Sequence, residues 1–404
     1  MRILALSTWW PEPADNGSRM RIMHLLRTLG ERHEVHLVAF SQGPTAQLRD
    51  DELRRICASV QAVARPGRPI GLADQLVSLT RPEPASVRAT WSAAFATRVT
   101  QTALQVQPDV ILAFQIDVAP YAQQVPGALR VLEELELNYI FGQPRVQHSL
   151  KGRLRAHLTA LKHRQYVAWL LRDFAAVSVV SEHEAALVRN LAPRNLALAV
   201  LPNGADIVGC ASYAYAPEPD TLIYPGALSY DANLDAMRYF LCAIFPLITR
   251  ERPNTTLRIT GKATAEQRAA LLALPGVTFT GYVEDIRGLI ARSCVEVVPL
   301  RQGGGTRLKI LEALALGTPV VSTAKGAEGL EVRPGHDLLI ADEPRAFAEA
   351  TLRLLADPDL CARLSAAGRQ TVAQRYDWRT IGQRLDDLLC TAVAQRNAAY
   401  VTPA

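Results

Sequence analysis

At 404 residues, 49% of them hydrophobic and 21% charged, the chain exceeds one ordinary core and has the balance of a folded globular protein, so two domains of roughly 200 residues are expected. A net charge of +5 is compatible with anionic ligands but falls short of a nucleic-acid-binding surface. Six scattered cysteines without a Cys-x-x-Cys pair imply neither a disulfide framework nor a zinc site, and fit a reducing cytoplasm.

Residues 3–6 read as a first buried strand, interrupted too soon by Pro11 for a signal peptide. Strands of the same kind follow at 35–39, 110–113, 130–132, 176–180 and 197–201, with helical spacing between them at 20–29, 94–105 and 154–171. After Pro202-Asn203-Gly204 and a polar, proline-bearing stretch at 213–220, a second series begins, with strands at 221–224, 256–260, 277–280, 295–299, 319–322 and 338–340. Short buried strands alternating with helices predict two doubly wound, Rossmann-like α/β domains. The expected division is 1–205, 206–376 and a final helix, 377–404, that returns to the first domain. Ligands of such domains sit at the carboxyl ends of the strands, and two domains facing each other would line one central cleft with them. No apolar run reaches the ~18 residues of a membrane-spanning helix.

Gly303-Gly304-Gly305-Thr306-Arg307-Leu308-Lys309-Ile310-Leu311-Glu312 is the most informative stretch. Its glycines free the backbone to fold round a ligand, and the helix that follows, up to Gly317, presents unpaired N–H groups and a positive dipole end suited to a diphosphate. Apolar residues surround this helix, yet Arg307, Lys309 and Glu312 are charged; on a buried helix, charges need partners. The plainer alternatives are surface charges, a Glu312–Lys309 pair and a simple turn at the glycines. Gly17 opens the first domain's first helix in a comparable way, preceded by Asn16 and followed by Arg19, which either contact a ligand or belong to an ordinary capped helix. Trp9 and Trp10 suit a sugar ring or the core equally.

In order along the chain, Pro11 with Gly17, Val179-Val180-Ser181, Leu201-Pro202-Asn203-Gly204, Tyr224-Pro225-Gly226, Phe279-Thr280-Gly281-Tyr282-Val283, Glu312-Ala313, Gly317-Thr318-Pro319-Val320-Val321 and Arg375-Tyr376-Asp377-Trp378 resemble the landmarks of the retaining glycosyltransferases of family four. The resemblance implies the GT-B fold and transfer of a sugar from a nucleoside-diphosphate sugar to a hydroxyl acceptor with retention, as in polysaccharide, glycolipid or glycoconjugate synthesis. It implies no metal and no cofactor beyond the donor itself. Glu312 matches the glutamate that holds the ribose, while the family's usual first glutamate falls on Gly304 and the usual arginine of the second domain's opening turn on Ala227. The sequence is similar to a branch carrying Gly-Gly-Gly-Thr-Arg-Leu-Lys, in which Arg307 and Lys309 take over the diphosphate charge. Donor contacts are then expected from Gly17, Asn203, Gly226, Val283, Gly304, Gly305, Thr306, Leu308 and Glu312, with Asn203 equally readable as a hinge turn. On the acceptor side stand Asn16 and Arg19, with Glu133, Glu134 and Glu136 after a strand end either supplying, through Glu133 or Glu136, a group that orients the acceptor hydroxyl or, the plainer reading, remaining solvated charges. The family's histidine in the first domain has no counterpart; Gln115-Ile116-Asp117 occupies its place, which nominates Asp117. His33 and His36 form no ligand pair, and no metal site is assigned.

Residues 151–172 hold six Lys or Arg and no Asp or Glu, with Leu154, Leu158, Leu161 and Trp169 at helical spacing. This segment either packs its leucine stripe on the sheet with a solvated basic face, the plainer reading, or lies peripherally on anionic lipid at the inner face of a membrane. An NAD-dependent dehydrogenase lacks support because no Gly-x-Gly-x-x-Gly follows a strand. A sugar-nucleotide-binding protein without catalysis is the alternative of another class.

Overall fold

A computed structural model describes residues 1–14, 16–43, 48–66, 83–135, 137, 150–303 and 305–401. It divides into two compact units, Met1–Pro202 with Arg379–Ala404, and Asn203–Trp378.

The first unit is built on a seven-stranded parallel sheet: β1 (Arg2–Ser7), β2 (Glu34–Ser41), β3 (Ser59–Ala64), β4 (Val110–Phe114), β5 (Leu129–Glu133), β6 (Ala176–Val179) and β7 (Ala197–Val200). Their order is β3-β2-β1-β4-β5-β6-β7. β1, β2 and β4 are almost wholly buried, which is why they read as unbroken apolar runs rather than alternating ones. β3 was not anticipated: it is an edge strand, only partly covered, and Ser59-Val60-Gln61-Ala62 carries too little apolar character to stand out. The order reverses between β1 and β4, and that is where a doubly wound sheet opens a crevice at its carboxyl edge. The last helix, Trp378–Val401, packs on this unit through Ile381, Leu385, Leu389 and Ala392, all buried. Asp386 anchors it, accepting hydrogen bonds from Arg32 Nη1 at 3.0 Å and pairing with His33 Nε2 at 2.6 Å.

The helix Leu150–Leu170 differs from the plainer expectation. It buries Ala156, Ala160, Tyr166, Val167 and Leu170, whereas Leu154, Leu158 and Leu161 are 63%, 59% and 54% exposed. Two alanines let the backbone approach its support closely, so the small-residue face turns inward and the leucine stripe outward.

The second unit holds a six-stranded parallel sheet of β8 (Glu218–Pro225), β9 (Thr256–Thr260), β10 (Val277–Gly281), β11 (Ser293–Val298), β12 (Val320–Ser322) and β13 (Leu339–Ile340), in the order β10-β9-β8-β11-β12-β13. The reversal lies between β8 and β11. The helix Leu308–Leu316 follows β11 and ends at Gly317, whose φ of 80° is the left-handed conformation glycine adopts without penalty. Entry to and exit from this unit run side by side: Ala205 N–H donates to Tyr376 O at 2.7 Å, and Trp378 N–H to Ala205 O at 3.4 Å. Both sheets thus bear out the expected pair of Rossmann-like α/β folds.

Candidate functional site

In the second unit, β8 and β11 end on either side of the strand reversal. β8 runs out at Pro225 into Gly226; β11 leads through residues 299–307 into the helix Leu308–Leu316. Gly303 and Gly305 have φ of 103° and 78°, so the loop takes a path that side-chain-bearing residues resist. No side chain caps the helix start at Arg307, and the first turn carries no acid. The positive end of the dipole is therefore met neither by a capping side chain nor by an acid of its own first turn. Ile310, Leu311, Ala313, Leu314 and Leu316 are fully buried, as the apolar run required.

Two cations stand at this helix start. Arg307 is buried, with Nη1 donating to Gly305 O at 2.9 Å, and burial pulls its pKa below the usual arginine range. Lys309 Nζ lies 3.9 Å from the centroid of the Tyr224 ring and 3.4 Å from Asn233 Oδ1. A methyl on Gly226 would sit 2.7 Å from that ammonium, so a side chain there would displace it. Burial brings the Lys309 pKa down to about 7; Glu296 opposes this and the Arg307 charge adds to it. Asn233 is fixed in turn, its Oδ1 accepting the Tyr224 hydroxyl at 2.7 Å and its Nδ2 donating to Ala227 O at 2.8 Å. Glu296, in the middle of β11, is fully buried, neither carboxyl oxygen has a partner among the described residues, and burial raises its pKa well above the carboxylate range.

Glu312 lies one turn beyond Lys309. Its Oε1 accepts from Arg287 Nε at 3.0 Å rather than from Lys309, and Arg287 Nη1 also donates to Asp206 Oδ2 at 2.9 Å. Asp206 is itself held as a helix cap, with Oδ1 accepting from Gly209 N–H at 3.0 Å. The second oxygen of Glu312 accepts no hydrogen bond among the described residues and so remains able to take a ligand hydroxyl. Arg287 was not singled out from sequence; a lone arginine 25 positions upstream of Glu312 carries no local signal, and only the fold brings the two together. Of the other donor candidates, Thr306 and Leu308 flank Arg307 and are partly buried, Asn203 is buried, and Val283 lies partly buried in the loop after β10. Gly304 lies outside the described residues.

The first unit gathers a second polar group at the carboxyl ends of β4 and β5. Gln115 and Glu134 both hold left-handed backbones, φ 74° and 59°, a conformation costing non-glycine residues of order 1 kcal/mol or more. Gln115 Nε2 donates to Glu134 Oε2 at 2.9 Å and to Ser18 Oγ at 3.4 Å, and its Oε1 accepts from Trp9 Nε1 at 3.1 Å. Asp117 pairs with Arg65 at 3.4 Å; burial raises its pKa, which Arg65 partly offsets. Glu133 is fully buried against the equally buried Arg21, with Ser178 Oγ donating to it at 3.3 Å, and its buried neighbour Glu134 lies 3.8 Å from the same arginine. Glu136 lies outside the described residues. Asn16 caps the helix Gly17–Gly30, accepting from Arg19 N–H at 3.1 Å, and Arg19 Nη2 donates to Gln42 Oε1 at 3.2 Å. Trp10 belongs to the core, its Nε1 bonded to Arg49 O at 2.7 Å. Near the last helix, His33, Asp386 and Cys390 bring ligand-type atoms within 4.8 Å of one another, but Arg32 already occupies Asp386.

Comparison with known proteins points the same way. Residues 219–357 match the sequence model of the family described as Glycosyl transferases group 1. Glycogen synthase of Mycobacterium tuberculosis H37Rv is 29% identical over 228 residues, covering 53% of this chain and 53% of the synthase. The GDP-mannose-dependent monoacylated alpha-(1-6)-phosphatidylinositol monomannoside mannosyltransferase of Corynebacterium glutamicum is 30% identical over 161 residues, covering 37% and 42%. The chain spans about half the length of these curated relatives. Among solved structures, Anabaena HepE in complex with UDP-glucose superposes with a TM-score of 0.64 at 18% identity, covering 97% of this chain and all of HepE. The two-domain fold is therefore that of GT-B glycosyltransferases, and the segment carrying Gly226, Arg307, Lys309 and Glu312 is similar to the group 1 glycosyl transferases.

Proposed function

We propose that the chain is a glycosyltransferase that takes a sugar from a nucleoside-diphosphate donor and passes it to a hydroxyl acceptor with retention. The observation that carries this reading is the Lys309 ammonium, seated against Gly226 at the start of a glycine-led, uncapped helix, with Arg307 two residues before it. Three sources of positive potential converge where a diphosphate would lie. As the bond between the anomeric carbon and the diphosphate oxygen breaks, negative charge builds on the departing phosphate. Lys309 and Arg307 stabilise it without a metal ion. The acceptor oxygen bonds to the anomeric carbon from the same face, and its proton passes to the departing phosphate. Glu312, aligned by Arg287, takes the ribose hydroxyls. Gln115, Glu134 and Asp117 are the first unit's candidates for orienting the acceptor.

A thermal-shift panel of nucleoside diphosphates and their sugars tests binding, since a ligand held only by the folded state raises Tm. Release of nucleoside diphosphate in the presence of hydroxyl acceptors tests transfer. A shift without release would identify a sugar-nucleotide-binding protein; no shift with any nucleotide would remove the reading altogether.

A further inference from the structure

We propose that the outward face of the helix Leu150–Leu170 docks on an anionic lipid surface. At 100° per residue, Leu154, Leu158, Leu161 and Trp169 fall within one arc of about 80°, and all four are exposed, Trp169 by 45%. Lys162 borders one edge of that arc, which also contains the exposed Gln165, while the exposed Arg153 and Arg164 lie about 60–80° beyond the other edge, towards Ala160. The opposite arc, with Ala156, Ala160, Tyr166, Val167 and Leu170, is buried. The helix thus seats one apolar face in its own unit and presents a second to the surroundings, bordered by cations.

Charge selects the occupant. Residues 151–172 hold six Lys or Arg and no acid; Asp173 follows directly, and Glu83 acts on Lys162. A twofold contact with a second copy would set this basic surface against itself. An anionic bilayer accepts both parts, with leucine and tryptophan entering the interface and Lys and Arg meeting headgroup phosphates. No helix among the described residues is long and apolar enough to cross a membrane, so the contact is peripheral. This inference does not depend on the proposed glycosyl transfer.

The test is co-sedimentation of the full chain with vesicles of phosphatidylcholine alone and of phosphatidylcholine containing a third phosphatidylglycerol. Binding is expected only to the anionic vesicles, falling as salt rises from about 0.1 to about 0.5 M. Arg153→Ser should weaken it about fivefold, and Leu158→Glu with Leu161→Glu should abolish it. These positions are exposed, so an unchanged Tm and an unchanged nucleotide response in the variants verify the fold. Failure of the wild-type chain to bind anionic vesicles, or binding indifferent to the leucine substitutions, overturns the proposal. So does a self-associated wild-type chain that the leucine substitutions dissociate.

Discussion

Replacing Lys309 with methionine should make the unliganded protein more stable and the nucleotide-bound one less so. The charge on Lys309 is carried against its surroundings: its pKa is brought from 10.5 to about 7, chiefly by burial, a charging cost of roughly 5 kcal/mol at 1.36 kcal/mol per pH unit. The Tyr224 ring returns about 2 kcal/mol of this, leaving about 3. Methionine fills nearly the same volume without the charge. Burial pushes Glu296 towards its neutral form and Lys309 opposes that shift, so removing the ammonium favours the carboxyl proton further. The sign follows from proton counts. Between pH 7 and pH 10.5 the unfolded chain holds the lysine proton and the folded chain has released it, so the lysine's penalty is complete below pH 7 and fades as pH rises towards 10.5. At pH 6, Lys309→Met should therefore raise Tm by about 6–12 °C, at about 2–4 °C per kcal/mol for a unit of this size, with a smaller gap at pH 9. Loss of a charged contact worth about 1.5–3 kcal/mol should at the same time weaken nucleoside diphosphate binding about 10–100-fold. Scanning fluorimetry at both pH values, with and without nucleotide, measures both effects. A variant that melts below the wild type at pH 6, or keeps the full nucleotide shift, would refute the reasoning.

Gly226→Ala would put a methyl 2.7 Å from Lys309 Nζ and 3.0 Å from Asn233 Nδ2; displacement of the ammonium should lower nucleotide affinity about tenfold, read by calorimetry, with a stability loss of about 1–3 kcal/mol. Arg287→Met leaves Asp206 and Glu312 without their shared donor; about 1–3 kcal/mol of stability should be lost, and competition binding should show the preference for ribo- over 2′-deoxyribonucleotide shrinking, because Glu312 is no longer held. Arg21→Met buries the Glu133 carboxylate without its partner, so a loss of about 3–5 kcal/mol is expected in urea unfolding; adding Glu133→Gln should recover part of it, and additive losses would show the pair is not coupled.

The strands were legible because parallel strands buried on both faces are written as uninterrupted Val, Ile, Leu and Ala, as in Val110-Ile111-Leu112-Ala113. Gly317 was legible as a helix stop because only a local rule is involved. Less could be read where a residue's meaning depends on distant partners. Glu133 and Glu134 are adjacent in sequence and both pair with the distant Arg21, yet only Glu134, on a left-handed backbone, also accepts from Gln115. Periodicity identified the Leu154 stripe but not its direction, since the helix has two apolar faces and the alanine one made the closer fit.

Because the closing helix Trp378–Val401 completes the first unit, that unit is assembled from two stretches of chain with the whole second unit between them. During synthesis at about 5–20 residues per second, the second unit leaves the ribosome complete and can close by joining Ala205 to Tyr376 and Trp378. The first must wait, with the surface destined for Ile381, Leu385 and Leu389 uncovered, until the final helix emerges. Birth order and maturation order are thus reversed, and the half made first is the half most in need of protection while the chain is being made.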